Sequence, residues 1–199
     1  EVIHAAKRCF IDWLSTTTAG GIKMPAVGFQ KAFAEEMDRG MSRLIPTGRK
    51  ATMRAATLIN AAASHTIEFD DVFGPAAYHP GTPTVSTAFS VADNLGANGL
   101  TFLHSIIIGY EISTRIAEAM GRSHYKFWHT TATNGSYGSF FSAGTLLKLD
   151  KEQFINGLGS AGTMAAGLQQ AFREDCHGKP VHGAHAAGVG LMAAQIAKP

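Results

Sequence analysis

"GLTFLHSIIIGYEISTRIAEAMG", residues 99–121, holds the choice between strand and helix. Ile106, Ile107 and Ile108 in a row argue for a strand, because β-branched residues favour the pleated surface. Leu103, Ile107, Tyr110 and the following Ala117 instead recur at helical spacing and outweigh them. The stretch reads as a buried helix over residues 99–120, stopped by Gly121.

The same period extends in both directions. Val2, Ile3, Ala6, Cys9, Phe10, Trp13 and Leu14 form one apolar stripe that ends at Gly20-Gly21. A second amphipathic segment covers 26–38, and "SRLIPTGRK" at 42–50 connects it to an alanine-rich helix over 51–66. "TVSTAFSVADNLG" at 84–96 is a helix closed by Gly96, and "NGSYGSFFSAGTLLKL" at 134–149 is another. Asp150 and Gln153 make a capping box for a helix over 151–172. A last helix covers 181–198. No alternating strand pair, short-period repeat or low-complexity run interrupts the pattern, so the expected fold class is all-α. Glycines inside helices cost up to about 1 kcal/mol each relative to alanine, and their abundance here points to close helix–helix approach.

The 199 residues suit one sizeable domain, 1–199, that looks cut at both ends. Only 16% of residues are charged, against a typical share of about 25%. The net charge of +2 carries no signal for nucleic acid or an anionic membrane surface. No apolar run approaches the ~18 residues of a membrane span. Cys9 and Cys176 are far apart and follow no metal or redox spacing, so a reduced, cytoplasmic setting is expected.

Polar residues gather at helix ends and turns. "EFDDVFGPAAYHPG" at 68–81 crowds Glu68, Asp70 and Asp71 ahead of His79; "HYKFWHTTATNG" carries His129; "REDCHGKPVHGAH" carries Lys179, His182 and His185. Each has an ordinary reading: a solvated acidic turn, a turn histidine, a packed core histidine, an exposed lysine. Catalytic groups, however, concentrate on loops held by a rigid scaffold. If the three loops converge, they supply what is needed to move a proton on a carbon beside a carboxylate and to stabilise the enolate-like charge. Metal spacing is weak. "EDCH" offers a single Glu-x-x-His where helical di-iron sites need two, and His-Glu-x-x-His is absent. An Asp70-Asp71 site for Mg²⁺ rests on two adjacent residues. Neither a phosphate-binding glycine loop nor a serine nucleophile elbow is present.

"RAATLINAAASHTIEFDD", "HPGTPTVSTAFSVAD", "GYEISTRIAEAMG", "FWHTTATNGSYGSFFSAGTLLKLD" and "GKPVHGAHAAGVGLMAA" occur here in the order and spacing of the MmgE/PrpD family, which the chain resembles over nearly its whole length. That family includes 2-methylcitrate dehydratase, cis-aconitate decarboxylase and iminodisuccinate epimerase. The resemblance implies a large helical domain followed by a smaller α+β lid, a homodimer, and a reaction on a small di- or tricarboxylate without metal or organic cofactor. The family's active-site Asp falls on Glu68, its His-Pro histidine on His79, and its His-x-Thr histidine on His129. The lysine of its Lys-x-x-His falls on Lys179, with His182 closing the motif. His79, His129, Lys179 and Glu68 are therefore the expected catalytic residues, and Asp70, Asp71 and His182 the expected substrate-binding ones. Val72 stands where the decarboxylase-like pattern has threonine, and Gly81-Thr82-Pro83 where the dehydratases have Ser-Asp-Asn. The expected activity is a cofactor-independent lyase of 2-methylcitrate dehydratase type. A decarboxylase, an epimerase and a non-catalytic binding protein on the same fold are the alternatives.

Overall fold

A computed structural model describes residues 1–173 and 178–198. Its helices are α1 (Val2–Gly20), α2 (Ala26–Ala32), α3 (Met53–His65), α4 (Gly81–Leu95), α5 (Gly99–His124), α6 (Thr130–Leu147), α7 (Lys151–Met164) and α8 (Gly178–Ala197). The deciding stretch is helical. Asn98 caps it by accepting from Thr101 N at 2.9 Å, and Leu103, Ile106 and Ala117 face inward. Gly121, at φ 69° and ψ 176°, breaks the helix as expected, but another turn follows to His124. The capping box at Asp150 and Gln153 forms in both directions, each bond 2.9 Å.

Two expectations give way. The amphipathic segment over 26–38 is helical only to Ala32. After a 3-10 turn it becomes strand β1 (Met37–Arg43), which pairs antiparallel with β2 (Lys50–Ala51) through an irregular register. Only Met37 and Ser42 of that strand are buried, too sparse a pattern to announce a strand. The helix predicted over 151–172 ends at Met164, and residues 165–168 run extended before a 3-10 turn at Gln169–Phe172. Gly167 turns there at φ 134°, and its carbonyl accepts from His129 N at 2.9 Å. Tertiary pairing has overridden helical propensity.

The core runs between α1, α4, α5, α6 and α8. Trp13 is buried there, donating Nε1–H to Ser86 Oγ at 2.8 Å, with the rings of Phe10 and Phe89 against it. α6 and α8 approach closely: a Cβ on Gly190 would stand 2.3 Å from Ser139 Cβ and 2.4 Å from Phe140 N. Small residues on both helices let them pack almost backbone to backbone. That rigid layer fixes the ends of α3, α4, α6 and α8 relative to one another. Among the described residues no helix is long and apolar enough to cross a membrane.

Candidate active site

His65 is the last residue of α3 and is fully buried. The chain then turns through the 66–80 loop, with Glu68 in the left-handed region at φ 60°. Asp70 folds back beneath His65, whose Nδ1 lies 2.8 Å from Asp70 Oδ2. The same oxygen accepts from Thr82 Oγ1 at 2.9 Å and lies 3.2 Å from His79 Nδ1. Ser64 Oγ donates in turn to Thr82 Oγ1 at 3.0 Å. Burial would push the Asp70 carboxyl up, but His65 and His79 outweigh it and hold the group well below the usual carboxylate range. Asp70 is thus a buried anion, held between two imidazoles and the Thr82 hydroxyl.

His129 precedes the first residue of α6 and is also buried. Its ring lies parallel to that of His65, centroids 6.0 Å apart at 9°, and its Nδ1 is 3.2 Å from His182 Nδ1 on α8. The His65 ring meets that of His79 edge-on at 4.7 Å. Burial, reinforced by His65, His182, Lys179 and His79, pushes His129 down to about 2, so the resting imidazole is uncharged. Burial, with His185 and His65, also lowers His182. Phe172 stands edge-on to His129 at 4.8 Å, and Lys179 Nζ lies 5.8 Å from the centre of the Phe172 ring. Lys179 is ion-paired with Glu68.

With His65 between them, Glu68, Asp70, His79, His129, Lys179 and His182 therefore gather in one cluster that draws on four parts of the chain: the end of α3, the 66–80 loop, the start of α6 and α8. Asp71 does not join it. Its carboxylate turns to the other side of the loop, accepting from Gly81 N at 2.9 Å and from Tyr110 OH at 2.8 Å. Its own N–H donates to Asp12 Oδ2 at 3.1 Å. There it ties α1, α4 and α5 together, and a Cβ on Gly81 would strike Asp71 Oδ1 at 2.5 Å. A groove of about 580 Å³ on that side, lined by Arg8, Cys9, Asp12 and Asp71, touches none of the network's histidines. His185 is exposed on α8. The Glu-x-x-His at 174–177, with Cys176, lies outside the described residues.

His65 is the residue that motif spacing passed over. It resembles an ordinary basic residue in the last turn of an alanine-rich helix, and its partners come from the next loop and from α6. A carboxylate five positions on, at Asp70, was the only local signal.

Buried polar atoms in this network lack hydrogen-bond partners among the described residues: His65 Nε2, His79 Nδ1, His129 Nε2 and Asp70 Oδ1. Buried polar groups are normally satisfied, so such a cluster suits a site that takes up a polar ligand or water. His65, Asp70 and His79 offer N and O atoms within 4.8 Å of one another, close enough to surround a cation. These atoms already face each other across one carboxylate oxygen, and a cation there would replace their shared protons. The arrangement as it stands is a hydrogen-bonded acid–base cluster with a lysine at its edge.

The family model of the MmgE/PrpD N-terminal domain matches residues 1–199. The cis-aconitate decarboxylase-like protein oryM of Aspergillus oryzae is 26% identical over 207 residues, covering 100% of this chain and 43% of that protein. The cis-aconitate decarboxylase of Aspergillus terreus is 26% identical over 178 residues, 86% of this chain and 36% of its own length. The chain thus spans well under half the length of these relatives.

Proposed function

Since the chain belongs to the MmgE/PrpD family, through its N-terminal domain, we propose that it is the acid–base half of a lyase acting on a small di- or tricarboxylate. The observation that carries this reading is the meeting of His79, His129 and His182 with the Lys179–Glu68 ion pair beside a buried Asp70.

The chemistry follows from the charges. An incoming substrate carboxylate exchanges with Glu68 as the partner of Lys179, a trade of one ion pair for another at similar charge. Its negative charge offsets the repulsion that adds to burial in keeping His129 uncharged, so the imidazole gains basicity when the substrate arrives. One of His79 and His129 then takes the proton from the carbon beside the carboxylate. Lys179 stabilises the enolate-like charge. In a dehydration the C–O bond breaks and the second histidine, as imidazolium, protonates the departing hydroxide to water. In a decarboxylation no proton is taken first: the C–C bond breaks, carbon dioxide leaves, the bond's electron pair stays on the carbon framework, and an imidazolium protonates that carbon. Asp70 stays ionised throughout, orienting its histidines and stabilising the imidazolium that forms.

The two curated relatives, one named a cis-aconitate decarboxylase and the other decarboxylase-like, favour loss of carbon dioxide. Val72, where the decarboxylase-like pattern has threonine, favours a different substrate and leaves dehydration as the leading alternative. Phe69, Val72, Leu168 and Phe172 are exposed beside the network, Phe69 at 80%. An apolar rim of this kind suits coverage by a lid domain and the second protomer of a homodimer.

His129→Ala should lower kcat about 10²-fold or more in the full-length protein with KM little changed, whereas Lys179→Ala should both raise KM for the carboxylate and lower kcat. Steady-state kinetics separate the two. Near-normal turnover in His129→Ala would remove it from proton transfer. Chelators should leave the activity unchanged, and loss restored by Mg²⁺ or Zn²⁺ would replace this reading with a metal-dependent one.

A further inference from the structure

We propose that His65 is a positioning residue: by anchoring Asp70, it fixes which ring nitrogen His79 presents to the substrate. The inference takes its catalytic meaning from the proposed proton transfer by His79, but its structural claim stands apart from it.

Asp70 Oδ2 is gripped by two donors that do not belong to His79. His65 Nδ1 reaches it from the end of α3 at 2.8 Å, and Thr82 Oγ1 reaches it from α4 at 2.9 Å. Both donors are fully buried, and Thr82 is itself tied to Ser64. The other carboxylate oxygen, Asp70 Oδ1, has no partner among the described residues. The two donors therefore decide which oxygen faces His79. A carboxylate oxygen only accepts, so each imidazole nitrogen facing it carries the hydrogen. His79 Nδ1 lies 3.2 Å from the same oxygen without the alignment of a hydrogen bond, but a lone pair facing the anion at that distance is repelled, so the proton is favoured on Nδ1 and the Nε2 lone pair is left for the substrate. Its backbone is pinned as well, His79 N donating to Thr131 Oγ1 at 3.1 Å. His65 also fills the space between the two proton-carrying rings, 4.7 Å from that of His79 and 6.0 Å from that of His129.

Two substitutions separate the donor from the filler. His65→Asn keeps an N–H near the Nδ1 position and loses ring volume. His65→Phe keeps a ring and loses the donor. In full-length protein labelled with ¹⁵N-histidine, two-bond ¹H–¹⁵N spectra report the His79 tautomer without any substrate. Wild type and His65→Asn should show the Nδ1–H form, and His65→Phe a mixture of tautomers. In turnover, His65→Phe should lose about 10-fold or more in kcat with KM within about 2-fold, and His65→Asn should recover most of it. An unchanged His79 tautomer in His65→Phe, or equal losses in both variants, would overturn the proposal. If His65→Phe does not fold, Thr82→Val removes the companion donor and should shift the tautomers the same way; an unchanged spectrum there would be equally fatal. A wild type that turns over no carboxylate would refute the proposed reaction while leaving the tautomer comparison to decide the role of His65.

Discussion

Asp70 and Asp71 are neighbours in sequence and serve opposite sides of one loop. Asp70 meets imidazoles and stays ionised, whereas burial pushes Asp71 up to about 6, with Tyr110 and Gly81 only partly offsetting it. A folded value raised above the ordinary 3.8 means the native state binds that proton more tightly. The resulting stabilisation is complete below about pH 3.8 and is lost as pH rises through about 6. Urea unfolding across that window should show wild-type stability falling with pH more steeply than that of Asp71→Asn; parallel profiles would contradict the assignment. Placement at turns and helix ends, together with the family resemblance, singled out Glu68, His79, His129, Lys179 and His182 as candidates. It could not separate Asp70 from Asp71, since which way each side chain points depends on Tyr110 and His65, far apart in sequence. For the same reason His65 was invisible: its significance is burial against other elements, and no residue type or spacing announces that.

The helices were legible wherever an apolar stripe met a capping residue or a glycine stop, as at Gly96, Gly121 and Asp150. They were illegible where a tertiary hydrogen bond claimed the backbone. Residues 165–168 leave the helix because Gly167 O serves His129 N, and residues 37–43 leave it to pair with β2. The small residues of α6 and α8 were correctly read as packing, and their consequence is mechanical. Because the two helices nearly touch at Gly190, they hold His129 and His182 within hydrogen-bond reach of each other. Gly190→Ala should therefore destabilise the fold by about 1–3 kcal/mol, measured by denaturant unfolding, and should weaken catalysis beyond any loss of folded protein. A variant of wild-type stability would show that the interface has slack.

At the scale of the molecule, the helical layer is a frame and the proposed site occupies one edge of it. The frame brings histidines from α3, the 66–80 loop, the start of α6 and α8 to a single place, with Lys179 at the opening. The apolar side chains exposed beside that opening should be covered in the complete protein. Full-length protein should sediment as a dimer, and Phe69→Asp should leave helical content intact while weakening assembly or substrate affinity; a monomer indifferent to Phe69→Asp would contradict that expectation. On the proposed function, this edge moves a proton on carbon next to a carboxylate. Incubating full-length protein with methylcitrate, citrate, cis-aconitate and iminodisuccinate in deuterated water, and following each by NMR, tests it most directly. Deuterium should appear on carbon in at least one substrate or its product and be lost in His129→Ala. No incorporation across the panel would contradict that function.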